Sequence, residues 1–506
     1  MADWENQKFA MPMYRPWVPE RVRPWLYVLF ACLFQLSGGI YFGNLQHMVG
    51  DMSLMREDLQ MIAMCGVVGV NMPFPFLFRF KLRFTNRQLL INAALVIAAC
   101  NVLSLYVTWG PALCVLSYVA GFFKLCGTFE CFSNIRLWIS PRQDFGVFLP
   151  TMYIIILGAM PLSGWTAQWL TATLGSWQSM HWLMTAAMLT VALLVYVLTR
   201  PWHFMRKRLP LVSLDWLGCI LWSALMLEVI WLFTYGEYCN WADSALWRTV
   251  LAATPFTLAV AVWRMCRIRH PYIEPWVFQH KRLIPILGMF FVAEMMNATP
   301  HALQNTLTGG ILHWGYTTTQ QFYAFELAGY MLGAAFTILW HRPLHLRYTH
   351  LLVVGFLCLL TYQVTMYLYV SPTLSMEHLW LPTFLRTFGY AIFFSTMTLM
   401  LKDLIEFPTF FMALTMSGFI RNGVAETVCA GLYGYNLRRQ IADTLSRGLH
   451  TDFQSVLQVA VKESWGMVCL AGVAILVAML LYILAVRKYK KLHTIRLLIK
   501  SINLRK

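Results

Sequence analysis

The chain has 506 residues, 59% of them hydrophobic and only 12% charged, against about 25% charged in an ordinary soluble domain, so it is not a water-soluble globular protein. A net charge of +17 on a soluble chain would suggest a nucleic-acid surface. Here the basic residues sit in short segments between long apolar runs, which membrane topology explains and which argues against a nucleic-acid partner.

A helix needs about twenty mostly apolar residues to cross a bilayer. On that measure the sequence predicts spans at 24–45, 57–79, 88–108, 111–133, 146–170, 178–199, 213–236, 246–266, 284–306, 318–340, 350–370, 379–401, 408–435 and 465–486. The first run carries no cleavage-site pattern and is expected to stay as the first helix. With both termini cytoplasmic, thirty of the 39 Lys and Arg fall in cytoplasmic segments and six outside; Lys124, Arg386 and Arg421 lie within spans. One missed helix would invert that bias downstream of it. The expected fold is therefore an all-α integral membrane protein of the cell inner membrane, two six-helix bundles plus two inserted helices. Residues 1–23 form a cytoplasmic segment, 24–199 the first bundle, 200–282 cytoplasmic loops with the inserted pair, and 283–486 the second bundle. The second bundle is expected to contain an external loop at 436–464, partly helical because Leu437, Ile441 and Leu445 have helical spacing. Residues 487–506 are a basic cytoplasmic tail suited to anionic lipid.

The 12 Cys are scattered through apolar runs without a C-x-x-C pair, which indicates small packing residues rather than disulfides or zinc. There is no Walker loop, which argues against an ATP-driven pump. His341, His345 and His350 are spread through a short cytoplasmic loop and read as solvated. No catalytic residue, metal or cofactor is expected, and the chain reads as a non-enzyme.

An internal repeat is visible. Lys124-x-x-Gly127 with Phe132-Ser133 recurs as Arg386-x-x-Gly389 with Phe394-Ser395, 262 residues on; Leu82-Arg83-Phe84-Thr85 recurs as Leu346-Arg347-Tyr348-Thr349, 264 residues on. The first echo falls in the fourth helix of each six-helix half, the second after each half's second helix. Duplicated bundles are common in transporters, whose substrate binds between them.

With these features the chain resembles the major facilitator superfamily, in its fourteen-helix drug:proton antiporter branch (the EmrB/QacA-like exporters). Gly158-x-x-Pro161-x-x-Gly164 is similar to the antiporter motif of the fifth helix. Small residues there allow close helix approach, and the proline allows a bend. Ser176-Trp177 with His181-Trp182, Asp215-Trp216-Leu217-Gly218 with Gly236 and Trp241, His270-Pro271 with Glu274, Phe278 and Arg282, and Arg421-Asn422-Gly423 resemble further family stretches in the same order. Departures are Ser37 where the family has an Asp, a basic Arg79–Arg87 loop without the family's pattern, and Lys124 near the position of the fourth-helix Arg. The resemblance implies alternating access, proton-coupled export of hydrophobic or amphipathic small molecules, and pairing with a periplasmic adaptor and an outer-membrane channel.

Ionisable groups cost about 2.5–3.5 kcal/mol at a span's centre on insertion scales, so they tend to face a cavity or one another. Glu130, Glu294 and Glu426 are the proton-coupling candidates, with Lys124, Arg386 and Arg421 as intramembrane cations. Glu130 and Lys124 are read either as lining one cavity or as a static pair, and Glu294 as a replacement for the missing acid at Ser37. Glu326 is expected near the outer third of its helix, reaching water, and Glu228 in a structural role. Phe129, Phe132, Met295 and Phe394 are substrate-cavity candidates, with ordinary helix packing as the alternative. Two rival functions stay open: a carrier of one specific metabolite on the same fold, and a membrane-embedded enzyme or flippase acting on lipids, which would need a clustered His/Asp or acidic site.

Overall fold

The computed structural model describes residues 11, 13–37, 40–140, 144–203, 210–212, 214–280, 282–344, 348–448 and 452–503. Among these, strand structure is limited to an isolated bridge between Tyr14 and Thr199. The first half contains α1 (Arg23–Leu36), α2 (Ile40–Met52), α3 (Arg56–Asn71), α4 (Leu77–Arg83), α5 (Asn86–Tyr106), α6 (Gly110–Ile139), α7 (Phe145–Leu174) and α8 (Gln178–Leu198). α9 (Trp216–Thr234) and α10 (Ala245–Arg267) follow. The second half contains α11 (Leu283–Asn297), α12 (Tyr316–Thr319), α13 (Phe322–Leu344), α14 (Tyr348–Tyr369), α15 (Glu377–Leu404), α16 (Phe407–Gly418), α17 (Glu426–Ser446) and α18 (Phe453–Asn503).

Twelve helices among the described residues are long and apolar enough to cross a membrane, which makes this a multi-pass membrane protein. The expected first and thirteenth spans are not among the twelve. Each is built of two shorter pieces: α1 with α2, and α16 with α17 through a π-helical turn, Phe419–Ala425. The segment 436–464, expected to be partly helical, is largely helix among its described residues. α17 runs on to Ser446 because Leu437 buries against the bundle, and α18 begins at Phe453. At the other end α18 continues to Asn503, through most of the expected tail. Of the second echo, Leu346 and Arg347 lie outside the described residues, as does His345.

Local sequence sets the helix ends. Thr85 starts α5 with a capping box: its hydroxyl accepts from the Gln88 backbone at 3.1 Å, and the Gln88 side chain accepts from the Thr85 backbone at 3.2 Å. Gly175, at φ +70°, ends α7 in the left-handed conformation that glycine adopts without cost to a Cβ. Beneath the first bundle, Met11, Met13 and Tyr14 are buried, and Arg15 N and Arg200 N each bond across to the other segment's backbone, to Leu198 O and Met13 O.

The two halves repeat one packing scheme. In the first, α3 crosses α6, which packs on α5, and α5 packs on α8; in the second, α13 crosses α15, which packs on α14, and α14 packs on α18. The α3–α6 crossing is so close that a Cβ on Gly121 would lie 2.1 Å from the Gly66 carbonyl oxygen. In the second half, a Cβ on Gly329, 263 residues after Gly66, would lie 2.0 Å from Thr387 Oγ1. Small residues carry helix association in lipid, where apolar side chains gain nothing by leaving the solvent. The halves meet along α7 and α13, while α9 packs on α3 and α17 at the opposite seam. α10 lies outermost, burying Ala261 alone among its residues.

Asp215 ties the inserted pair to the bundle. One oxygen accepts from Gly218 N at 2.9 Å and from Arg264 Nη2 at 2.7 Å; the other accepts from Tyr272 N at 3.0 Å. The Asp-Trp-Leu-Gly stretch is thus an N-cap that also anchors the chain entering α11. Asp215→Ala leaves Arg264 and two backbone donors without this acceptor. Because Arg264 is partly exposed, the expected loss is about 2–3 kcal/mol, read as a lowered apparent Tm of the purified protein; an unchanged Tm would show that the knot carries no load.

Candidate transport site between the halves

The second half concentrates buried charge where it faces the first. Glu294, on α11, is 3% exposed. It accepts a hydrogen bond from the Tyr390 hydroxyl of α15 and lies 3.9 Å from Arg421 Nε. Arg421 belongs to the π-helical turn Phe419–Ala425, whose wider winding brings the residues Arg421-Asn422-Gly423 to the seam. Its guanidinium lies 4.4 Å from the centre of the Phe394 ring and donates to Asn422 Oδ1 at 2.6 Å. Asn422 in turn donates to Asn71 Oδ1 of α3 at 3.3 Å, so this cation sits one residue from a contact between halves. Phe394 packs at 4.6 Å from Tyr153 of α7, 5.8 Å from Phe290 of α11 and 6.0 Å from Tyr390, which places its ring where both halves converge.

A second buried pair lies alongside. Arg386 Nη2 donates to Glu326 Oε1 at 2.5 Å, its Nη1 donates to Asn297 Oδ1 at 3.0 Å, and its guanidinium stands 5.7 Å from the Tyr362 ring. Glu426 is half-buried and 3.5 Å from His301 Nε2. Buried carboxylates and two guanidiniums, with a more exposed His301–Glu426 pair beside them, can exchange partners when a proton or a charged substrate arrives.

At the end of the bundle that carries Lys81 and Lys402, aromatic rings close the seam. Phe78 of α4 and Phe129 of α6 pack at 4.7 and 5.6 Å from Phe411 of α16, and the Lys402 amine lies 4.8 Å from the Phe145 ring centre.

No family model and no curated protein matches the chain. Solved structures do. The human organic anion transporter MFSD10 (TETRAN) superposes with a TM-score of 0.53 at 12% identity, over 91% of this chain and 100% of that one. An auto-inhibited peptide transporter of the POT family gives 0.53 at 13%, over 88% and 96%, and a variant of the nucleoside transporter NupG gives 0.50 at 14%, over 89% and 98%. The fold is major facilitator-like. In such a fold two bundles face each other across a central seam, and the charges around Glu294 and Arg386 stand beside it.

The residues singled out in the sequence fall at different places in this facilitator-like frame. Gly158, Pro161 and Gly164 are on α7, and both glycines face α13: a Cβ on Gly158 would lie 3.2 Å from Leu327 Cδ1, and one on Gly164 2.9 Å from the Tyr323 ring. Phe129 stands in the aromatic cluster at the closed end. Phe132 is 2% exposed in the core of the first half, and Met295 is half-buried, its carbonyl accepting from the Tyr433 hydroxyl at 2.6 Å. Glu228 accepts from Thr257 Oγ1 at 2.9 Å, joining α9 to α10.

Lys124 and Glu130 do not meet. Glu130 lies 3.4 Å from Lys81 Nζ and accepts from Asn134 Nδ2 at 2.8 Å, while Lys124 lines a cleft deeper in the first half. Six residues of helix separate the two by about 9 Å along the axis and by roughly a third of a turn, onto different faces. Glu326 pairs with Arg386 while its side chain keeps 19% of its surface exposed. Lys81, His301 and Tyr390 are partners that sequence reasoning missed. A buried arginine calls for an acid on a neighbouring helix, but the sequence does not say which helix: Glu326 lies two spans before Arg386 in the chain and beside it in the fold.

Proposed function

We propose that the protein is a secondary active transporter that moves small molecules by alternating access, its two halves rocking about the α7–α13 and α3–Phe419–Ala425 contacts. In this reading it crosses the inner membrane fourteen times, counting α1 with α2 and α16 with α17, with both termini cytoplasmic. It exports hydrophobic or amphipathic compounds in exchange for protons, and a periplasmic adaptor and an outer-membrane channel carry them onward. The observation that carries the proposal is Glu294: a carboxylate 3% exposed, held between a tyrosine hydroxyl and an arginine in a π-helical turn, beside an aromatic ring that both halves touch. When the halves separate, that carboxylate gains water, and the change in its surroundings alters its proton affinity. The apolar and aromatic surroundings of Phe394 suit a flat amphipathic substrate.

The test uses full-length protein in proteoliposomes with ethidium as substrate and an imposed pH gradient. Wild type is expected to move ethidium only with the gradient. Glu294→Gln is expected to lose gradient-driven movement and substrate-induced proton flux, and Glu130→Gln, whose carboxylate is engaged by Lys81, to keep both. Gradient-driven transport at the wild-type rate in Glu294→Gln would remove this residue from coupling. A wild-type protein that ignores ethidium would favour the second reading, a carrier of one polar metabolite, to which the density of hydrogen-bonding groups around Arg386 and Asn297 is suited.

A further inference from the structure

The first half holds a polar site that the seam does not use. A small cleft lies inside the half, walled by α2, α3, α5, α6, α8 and Ser37. Lys124 enters it from α6, and among the described residues this amine has no carboxylate within ion-pair distance and no hydrogen-bond acceptor. His181 enters from α8 and is 1% exposed. Its Nδ1 lies 3.0 Å from Asn101 Oδ1, while the Asn101 amide nitrogen donates to Ile97 O; Nδ1 is therefore the donor, and Nε2 has no partner among the described residues.

The internal repeat identifies what the cleft lacks. Lys124 and Arg386 are equivalent positions, and Arg386 is answered by Glu326 of α13. The helix-crossing glycines Gly66 and Gly329 are 263 residues apart, and 263 residues before Glu326 stands Ala63, which lines the cleft. The equivalence extends to the neighbouring helices. Gln363, 262 residues after Asn101, accepts from Trp465 Nε1 at 3.0 Å, as Asn101 accepts from His181. One half thus supplies an acid from its second helix to the cation of its fourth; the other has a methyl group there. An uncompensated ammonium in a low-dielectric cleft is costly, and the group that relieves it in the sister half is a carboxylate.

We propose that this cleft is a binding site for the carboxylate of a small organic acid. The carboxylate pairs with Lys124 as Glu326 pairs with Arg386, His181 Nε2 is placed to accept from a hydroxyl or N–H elsewhere on the acid, and Val67 and Val70 cover a short apolar body. The site lies within one half, apart from Glu294 and Phe394, so it stands independently of proton coupling.

Purified full-length protein is titrated in detergent with benzoate, acetate and benzamide, the neutral isostere of benzoate, while thermal unfolding is followed. Benzoate is expected to raise Tm in a dose-dependent manner and benzamide to leave it unchanged. Lys124→Met is expected to weaken benzoate binding about tenfold or more without lowering the Tm of the ligand-free protein. Ala63→Glu, which builds the missing acid into the same cleft, is expected to raise the ligand-free Tm and abolish the benzoate shift. A benzoate shift that survives both substitutions, an equal shift with benzamide, or no shift with either carboxylate in wild type overturns the proposal.

Discussion

Replacing Arg386 with Leu is expected to destabilise the protein by about 3–5 kcal/mol, the usual cost of removing one member of a buried ion pair. The Arg386 side chain is 7% exposed and that of Glu326 19%. Without the guanidinium, Glu326 faces the ring of Tyr362 and the apolar walls of α13 and α15, and Asn297 loses its donor as well. The informative comparison is the double variant, Arg386→Leu with Glu326→Leu. Removing both charges also removes their desolvation cost, so the double variant should recover most of the stability that the single variant loses. Transport should not recover with it, because the guanidinium that Asn297 accepts from is gone from the seam. The measurements are apparent Tm in detergent and substrate flux in liposomes, on the same preparations. A double variant no more stable than the single one would mean that Arg386 acts through packing of its aliphatic stem rather than through charge.

The contrast between the two halves explains how far the sequence could be read. Hydropathy alone located the twelve long apolar helices among the described residues, because the bilayer imposes length and polarity on each span separately. The 262–264 residue repeat was likewise legible from Lys124 and Arg386, and it carries over to the Gly66 and Gly329 crossings. Partner choice was not legible, because it depends on rotation about a helix axis and on depth. Glu130 seemed a neighbour of Lys124 along the chain, yet its face of α6 turns to Lys81 of the preceding helix pair. Glu326 was placed by its distance from the helix end, when the arginine two spans later in the chain and adjacent in space decided its orientation. The π-helical turn that brings Arg421 to the seam leaves no mark in hydropathy, since one extra residue in a turn changes the register and not the composition.

Gly164→Val is expected to cut transport about tenfold or more while the protein still reaches the membrane, because the space it fills belongs to the moving contact and not to either bundle's core. A Cβ at this position would lie 2.9 Å from two carbons of the Tyr323 ring and 3.0 Å from its hydroxyl, and the two further methyl groups of valine deepen the overlap. Overpacking of this size costs about 1–3 kcal/mol, enough to shift the balance between two access states without unfolding a protein with this many packed helices. The tyrosine also holds Gln168 of α7, accepting from its Nε2 at 3.1 Å, so a displaced ring loses a bond between the halves as well. The clash predicts its own remedy: Tyr323→Ala in the Gly164→Val background removes the ring and should restore flux above that of the single variant. Gly158→Ala serves as the internal scale, since its added methyl meets only flexible side-chain atoms, Leu327 Cδ1 at 3.2 Å and Met331 Cγ at 3.7 Å, and should lower flux far less. If Gly164→Val transports at the wild-type rate, or if Tyr323→Ala gives no relief, α7 and α13 do not slide past one another at this level, and the rocking axis lies elsewhere in the fold.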